Sequence, residues 1–350
     1  MRIHKVEENE EINEIAQKYG IDKEELERKN FLLNPTGLCK GIELLIPKIK
    51  CELCSIRNYQ FNILSEKHKN YQRDFKTKNS NLSQNHKKND KKDVFSIYPK
   101  NEKHSVCITG IFREGISEQL LSHTLPYLTY ISLPFGNREC RYSDMIKAAG
   151  VEKILRINPS CDRASPKEIA EKAISCGFRI VMIDAQDIPA KDGKIIDDIY
   201  EELSAHRIGV FLRCKDNFNI SCDCILTDSD SSSYERRRLA MPIFYSATKT
   251  VDGKDMEIPI SDAMAVACKR LVKFNVTQNG CSYECDEGKR HVKVALPSLS
   301  LWKKSLDSYD SLGINSFYID NISSFYPPLF AMLSERYNII KSFSCTGTLH

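Results

Sequence analysis

From Ser105 onward the chain alternates short apolar, β-branched runs with amphipathic segments, and this alternation constrains the fold more than any other feature. The runs are "SVCITGIF", "LTYISLPF", "KILRIN", "FRIVMID", "GVFLRC", "CDCILTD", "RLAMPIFY" and "INSFYID". Between several of them lie segments of helical period, among them "SPKEIAEKAISCG", "IIDDIYEELSAHR" and "LSLWKKSLDSYDSLG". Runs this apolar are buried on both faces. Parallel strands covered by crossover helices satisfy that condition. Eight of them predict an α/β fold, a (β/α)₈ barrel over residues 105–346 with its site at the C-terminal strand ends. The stretch from Asp223 to Tyr245 is too short for a full helix between its two strands, so the barrel is expected to be trimmed there.

Two further zones precede the barrel. Residues 50–104 include "KHKNYQRDFKTKNSNLSQNHKKNDKKD", which is too polar to bury a core and reads as a basic linker, or as an electrostatic contact for an anionic polymer. Residues 1–49 follow the order strand, helix, helix, strand. "RIHKV" opens the unit. "INEIAQKYG" is a helix stopped by Gly20, and Asp22 caps "DKEELERKN". "IELLIP" closes it.

A chain of 350 residues accommodates two folded units. With 51 Lys+Arg against 47 Asp+Glu, the charge is too balanced to indicate nucleic acid. No apolar run reaches transmembrane length and the N-terminus has no signal-peptide pattern, so synthesis in a cytoplasm is expected. The 14 cysteines are scattered. Cys51-x-x-Cys54 lacks a second pair at zinc-site spacing, and Cys222-x-Cys224 and Cys281-xxx-Cys285 are local pairs. Reduced thiols, late oxidation and metal binding all remain open for them, but no metal site or cofactor is expected. Cys51 and Cys54, beside the linker, are the expected cross-linking thiols.

The N-terminal unit resembles a LysM domain. Ile15-Ala16, Tyr19-Gly20, Leu26, Asn30, Leu38, Gly41, Leu44, Ile46 and Pro47 stand at the positions of that pattern, while Asn9-Glu10-Glu11 replaces its Gly-Asp-Thr turn. The resemblance implies binding of N-acetylglucosamine glycans such as peptidoglycan or chitin. The implied groove lies between Asn9, Glu10, Glu11 and Ile12 on one side and Asn30, Phe31, Leu32, Leu33, Asn34 and Pro35 on the other. The leucines read equally as completing a very small core.

The rest resembles the LysM-linked glycoside hydrolase family 18 proteins of bacterial spores. "RLAMPIFY", "ISDAMAVACKRL", the hairpin-forming "VTQNGCSYECDEGKRHVKVALPS", "LPYLTYIS" and the ending "RYNIIKSF" carry the likeness. It implies substrate-assisted hydrolysis from an Asp-x-x-Asp-x-Asp-x-Glu strand, whose Glu protonates the glycosidic oxygen while the neighbouring Asp orients the N-acetyl group. Alternate strand residues share a face, which aims that Asp and Glu together into the barrel mouth. Here the strand reads Arg179-Ile-Val-Met182-Ile-Asp184-Ala-Gln186. Gln186 takes the place of the acid, and a primary amide cannot release a proton near neutral pH. Asp187 is one residue out of phase. Asp228 stands where the family has a Tyr for the N-acetyl group. Asp320, or Tyr318 if the register slips by two, stands where it has a floor Trp. Trp302, the only Trp, falls on a helix and reads as packing.

The expectation is therefore a degenerate site of Asp184, Gln186, Asp228 and Asp320. Asp184 is either a residual polar group or a ligand contact. The chain would be a spore-associated, peptidoglycan-binding protein of the coat or cortex surface, with other coat proteins as partners and its barrel a scaffold or lectin. The alternative is an active cortex N-acetylglucosaminidase.

Overall fold

The computed structural model describes residues 2–30, 38–47, 103–112, 117–136, 142–189, 193–215, 222–227, 239–277, 280–288 and 290–341. Phe31, Leu32, Leu33, Asn34, Pro35, Asp228, Cys51, Cys54 and the basic stretch lie outside the described residues.

The N-terminal module has the order strand, helix, helix, strand. Strand β1 (Arg2–Lys5) pairs antiparallel with β2 (Glu43–Ile46), Arg2 opposite Ile46. The Ile12–Tyr19 helix buries Ile12, Ile15 and Ala16 and ends at Gly20, in the left-handed region at φ 64°. The Asp22 carboxylate accepts from the Glu24 N–H at 2.8 Å and starts the Lys23–Asn30 helix.

The barrel strands are β3 (Ser105–Phe112), β4 (Tyr130–Pro134), β5 (Glu152–Ile157), β6 (Ile180–Asp184), β7 (Gly209–Arg213), β8 (Cys224–Leu226), β9 (Leu239–Ile243) and β15 (Ser316–Ile322). They are parallel and hydrogen-bonded in that order. Pairing of β15 with β3, Phe317 beside Ile108, closes the ring. The eight apolar runs are thus the eight barrel strands, and β8, at the predicted trim, is only three residues long. Ile111, Ile154, Met182, Phe211, Leu226, Ala240 and Tyr318 fill the interior.

Local capping chemistry sets helix starts. Ser165 Oγ accepts from the Glu168 N–H at 3.3 Å, the Glu168 carboxylate accepts from the Ser165 N–H at 2.7 Å, and Pro166 occupies the first turn. Ser298 Oγ accepts from the Leu301 N–H at 3.1 Å and caps the Leu299–Ser311 helix.

Between β9 and β15 the chain builds a five-stranded antiparallel sheet from β10 (Ser246–Val251), β11 (Lys254–Pro259), β12 (Asn275–Thr277), β13 (Gly280–Glu287) and β14 (Arg290–Leu296). The sequence reading identified only the second hairpin. The first turns at Asp252 and Gly253, at φ 50° and 75°, a two-residue turn whose twist suits a hairpin. A short β16 (Asn338–Ile339) adds to β3 outside the ring.

The described residues of the N-terminal module and the barrel cluster into one unit. The Glu43 carboxylate accepts from the Ser300 N–H at 2.8 Å, and Lys29 pairs with Glu335 at 2.7 Å. Among the described residues no helix is long and apolar enough to cross a membrane.

Candidate functional site at the barrel mouth

Strand alternation builds the site in layers. On β6, Met182 fills the interior and Asp184 stands one step nearer the C-terminal mouth. On β7, Phe211 is followed by Arg213, and on β5 Ile154 by Arg156. On β15, Tyr318 is followed by Asp320. The upper residues line a cavity of about 380 Å³ together with Phe135, Asn158, Asp162, Gln186, Glu257 and Asn321. This answers the register question for β15: Tyr318 is an interior side chain at 1% exposure, and Asp320 is the residue at the mouth.

Arg213 organises the charges. Its guanidinium donates to Asp184 at 3.0 Å and to Asp320, and its side chain is only 8% exposed. Its Nε is buried without a hydrogen-bond partner. Burial alone would push the Arg213 guanidinium down, but Asp184 and Asp320 outweigh it and hold the group above its ordinary value. Burial pushes the Asp320 carboxyl up, with Asp184 and Glu257 adding repulsion against the pull of Arg213. The Asp320 side chain is 41% exposed and in contact with Arg213.

Arg156 is the second cation of the cavity. It donates to the Phe112 carbonyl at 2.9 Å, and burial lowers its pKa although Asp184 opposes the shift. A guanidinium so placed stays charged. The loop beside it is held by the Asp162 carboxylate, which accepts from the Asn158 N–H at 2.6 Å. Glu257 reaches the rim from the inserted sheet and accepts from the Asn321 side chain. The sequence reading missed Arg156, Asn158, Asp162, Arg213 and Glu257. For the two arginines the signal was available, because each lies near the C-terminal end of an apolar run in phase with interior residues.

The structure brings Asp184, Gln186 and Asp320 into one cavity. Gln186 lies in the turn after β6, where the Ala185 N–H donates to the Arg213 carbonyl at 2.8 Å and the Ile188 N–H to the Ala185 carbonyl at 3.1 Å. Asp187 is exposed and does not line the cavity. Trp302 is 3% exposed, and its indole N–H donates to the Phe244 carbonyl at 2.7 Å, consistent with packing.

In the N-terminal module the predicted groove residues have local partners. The Glu10 carboxylate accepts from the Glu7 N–H at 3.0 Å and contacts His4 at 2.8 Å. Glu11 caps the first helix, its N–H donating to the Glu14 carboxylate at 3.2 Å. Ile12 is 2% exposed. Asn30 is buried and ties the Leu26 and Leu45 carbonyls and the Leu45 N–H together. Asn9 sits at φ 62°, a left-handed position that shapes the turn. The side chains of Ile12 and Asn30 are therefore structural.

The whole arrangement is similar to crystal structures of spore cortex-lytic enzymes. SleL of Bacillus cereus superposes with a TM-score of 0.71 at 14% identity, covering 97% of this chain and 99% of that one. SleL of Bacillus megaterium QM B1551 gives 0.69 at 13% identity, covering 97% and 98%. A class V chitinase from Nicotiana tobaccum, determined in complex with NAG4, gives 0.52 at 9% identity, covering 67% of this chain and 99% of that one. No family model and no curated protein sequence matches the chain. At these identities the likeness is one of fold, a barrel of the kind that glycosidases use.

Proposed function

We propose that the chain is a spore-associated protein that binds N-acetylglucosamine glycan, peptidoglycan in particular, and that its barrel holds glycan without cutting it. Residues 1–49 act as a LysM-type anchor, residues 50–104 as a linker, and residues 105–346 as a glycosidase-like barrel; other coat proteins are partners. The observation that carries this reading is the Arg213 clamp on Asp184 and Asp320, beside an amide at Gln186. An Asp that must orient an N-acetyl group is already engaged by a buried cation, and its neighbour has no proton to give. General acid catalysis is worth about 10²–10⁴-fold, so an amide at that point is a severe loss.

The test uses the full chain, insoluble cortex peptidoglycan and chitin oligomers. Co-sedimentation with peptidoglycan and no new reducing ends is the expected result. Release of muropeptide or N-acetylglucosamine products by the wild type would overturn the non-cutting barrel. The hydrolytic alternative has one observation in its favour, a second carboxylate at the mouth, Asp320, which burial pushes above its ordinary value. On that reading Asp320→Asn removes the activity.

A further inference from the structure

Cys39 belongs to the N-terminal module and Cys268 to the last turns of the Ile260–Arg270 helix, yet the Cys39 thiol lies against the carbonyl of Ala267, the residue before Cys268. Three contacts hold the two backbones side by side. Cys39 Sγ donates to the Ala267 carbonyl at 3.4 Å. The Phe274 N–H donates to the Lys40 carbonyl at 2.9 Å. Gly41, at φ +88°, lies so close to Phe274 that a Cβ would stand 2.6 Å from its carbonyl oxygen. Neither thiol is in a disulfide.

We propose that Cys39 and Cys268 form a cross-link site, which a low-molecular-weight disulfide oxidises to a single intrachain disulfide joining the N-terminal module to the barrel. Cys268, half-buried, is the attacking thiol, and Cys39, at 2% exposure, is the resolving one. The Cys268 thiolate attacks one sulfur of glutathione disulfide, forms a mixed disulfide and expels one glutathione thiolate. Cys39 then loses its proton to solvent and attacks Cys268 Sγ, expelling the second. Two protein thiols are oxidised and one small disulfide is reduced to two thiols.

The neighbouring Cys39 thiol holds the Cys268 thiol below its ordinary value against the effect of burial, while Cys39 itself is raised. Burial pushes the Cys281 thiol up to about 12 and raises Cys224 as well. The thiolate fraction needed for attack thus favours Cys268 over those two. The cross-link would close a loop of more than half the chain, so its effect on the unfolded state is large.

The experiment equilibrates the reduced full chain in glutathione buffers of rising oxidised fraction, traps thiols by alkylation and maps tryptic peptides without reduction. Each partner falls on a peptide with no other cysteine, residues 30–40 and residues 255–269. The linked pair should appear first as oxidant rises, at a yield independent of protein concentration. The oxidised protein should melt about 5 °C or more above the reduced one. Cys39→Ser and Cys268→Val should each abolish both the linked peptide and the shift. If Cys268 stays alkylatable while other pairs form, or if it is recovered only as the glutathione adduct, the proposal is wrong. That outcome is read on the wild type and does not depend on either variant folding.

Discussion

Asp184 and Arg213 stand opposite one another in neighbouring parallel strands, and their side chains meet at 3.0 Å. Asp184 is therefore held by a buried cation, which also reaches Asp320 across the barrel mouth.

Gln186→Glu should not create hydrolytic activity. The new carboxyl would join Asp184, Asp320, Asp162 and Glu257 around one cavity whose cations are Arg156 and Arg213. Like-charge repulsion would raise the apparent pKa of the new group, and groups that act as a unit are not restored one at a time. Product release from cortex glycan and chitin oligomers, compared with wild type, is the measurement. Turnover by the variant alone would mean that the clamp does not obstruct the site.

Arg213→Met should destabilise the fold by about 3 kcal/mol, because it leaves Asp184 half-buried and unpaired. The partial exposure of Asp320 keeps the cost near the lower end of that range. Adding Asp184→Asn should recover at least half of the loss. Urea midpoints of the two variants and the wild type test this, and a double variant no better than the single one would count against the ion-pair explanation.

Glu10 links stability to pH. Burial alone would raise its carboxyl, but the Glu7 N–H, His4 and Lys18 together hold it below its ordinary value of 4.5. A depressed folded pKa means that the stabilisation is present at neutral pH and is lost as pH falls through that folded value. Glu10→Gln should cost about 1 kcal/mol at pH 7. The gap to wild type should narrow below pH 4.5 and close once Glu10 is protonated. Hydrogen exchange of residues 2–20 reads it directly.

Gly41→Ala should cost about 2–3 kcal/mol, since the added Cβ meets the Phe274 carbonyl at 2.6 Å from a left-handed backbone. Gly253→Ala, at φ +75° with open space around it, should cost only about 1 kcal/mol. Equal melting temperatures for the two variants would show that the close approach of module and barrel does not contribute.

Much of the fold was legible because it is written in short-range periodicity. Eight apolar runs became eight barrel strands, and Gly20, Asp22 and Ser298 lie where local backbone geometry or capping needs them. The Asp252-Gly253 turn was equally available to a local reading. Gln186 is visible at the strand end from the sequence alone, and so is the out-of-phase position of Asp187. What no local pattern contains is which strand lies beside which, and in what register. Arg213 reads as a polar end to an apolar run until β6 and β7 are paired, and Asp320 reaches it only because β15 closes the ring on β3. Glu257 arrives from an inserted sheet, and Cys39 and Cys268 are more than half the chain apart in sequence. Side-chain period is set by bonds two to four residues apart and survives in the sequence. The clamp, the cavity charge and the thiol pair depend on distances set by ring closure and packing, which only the tertiary structure decides.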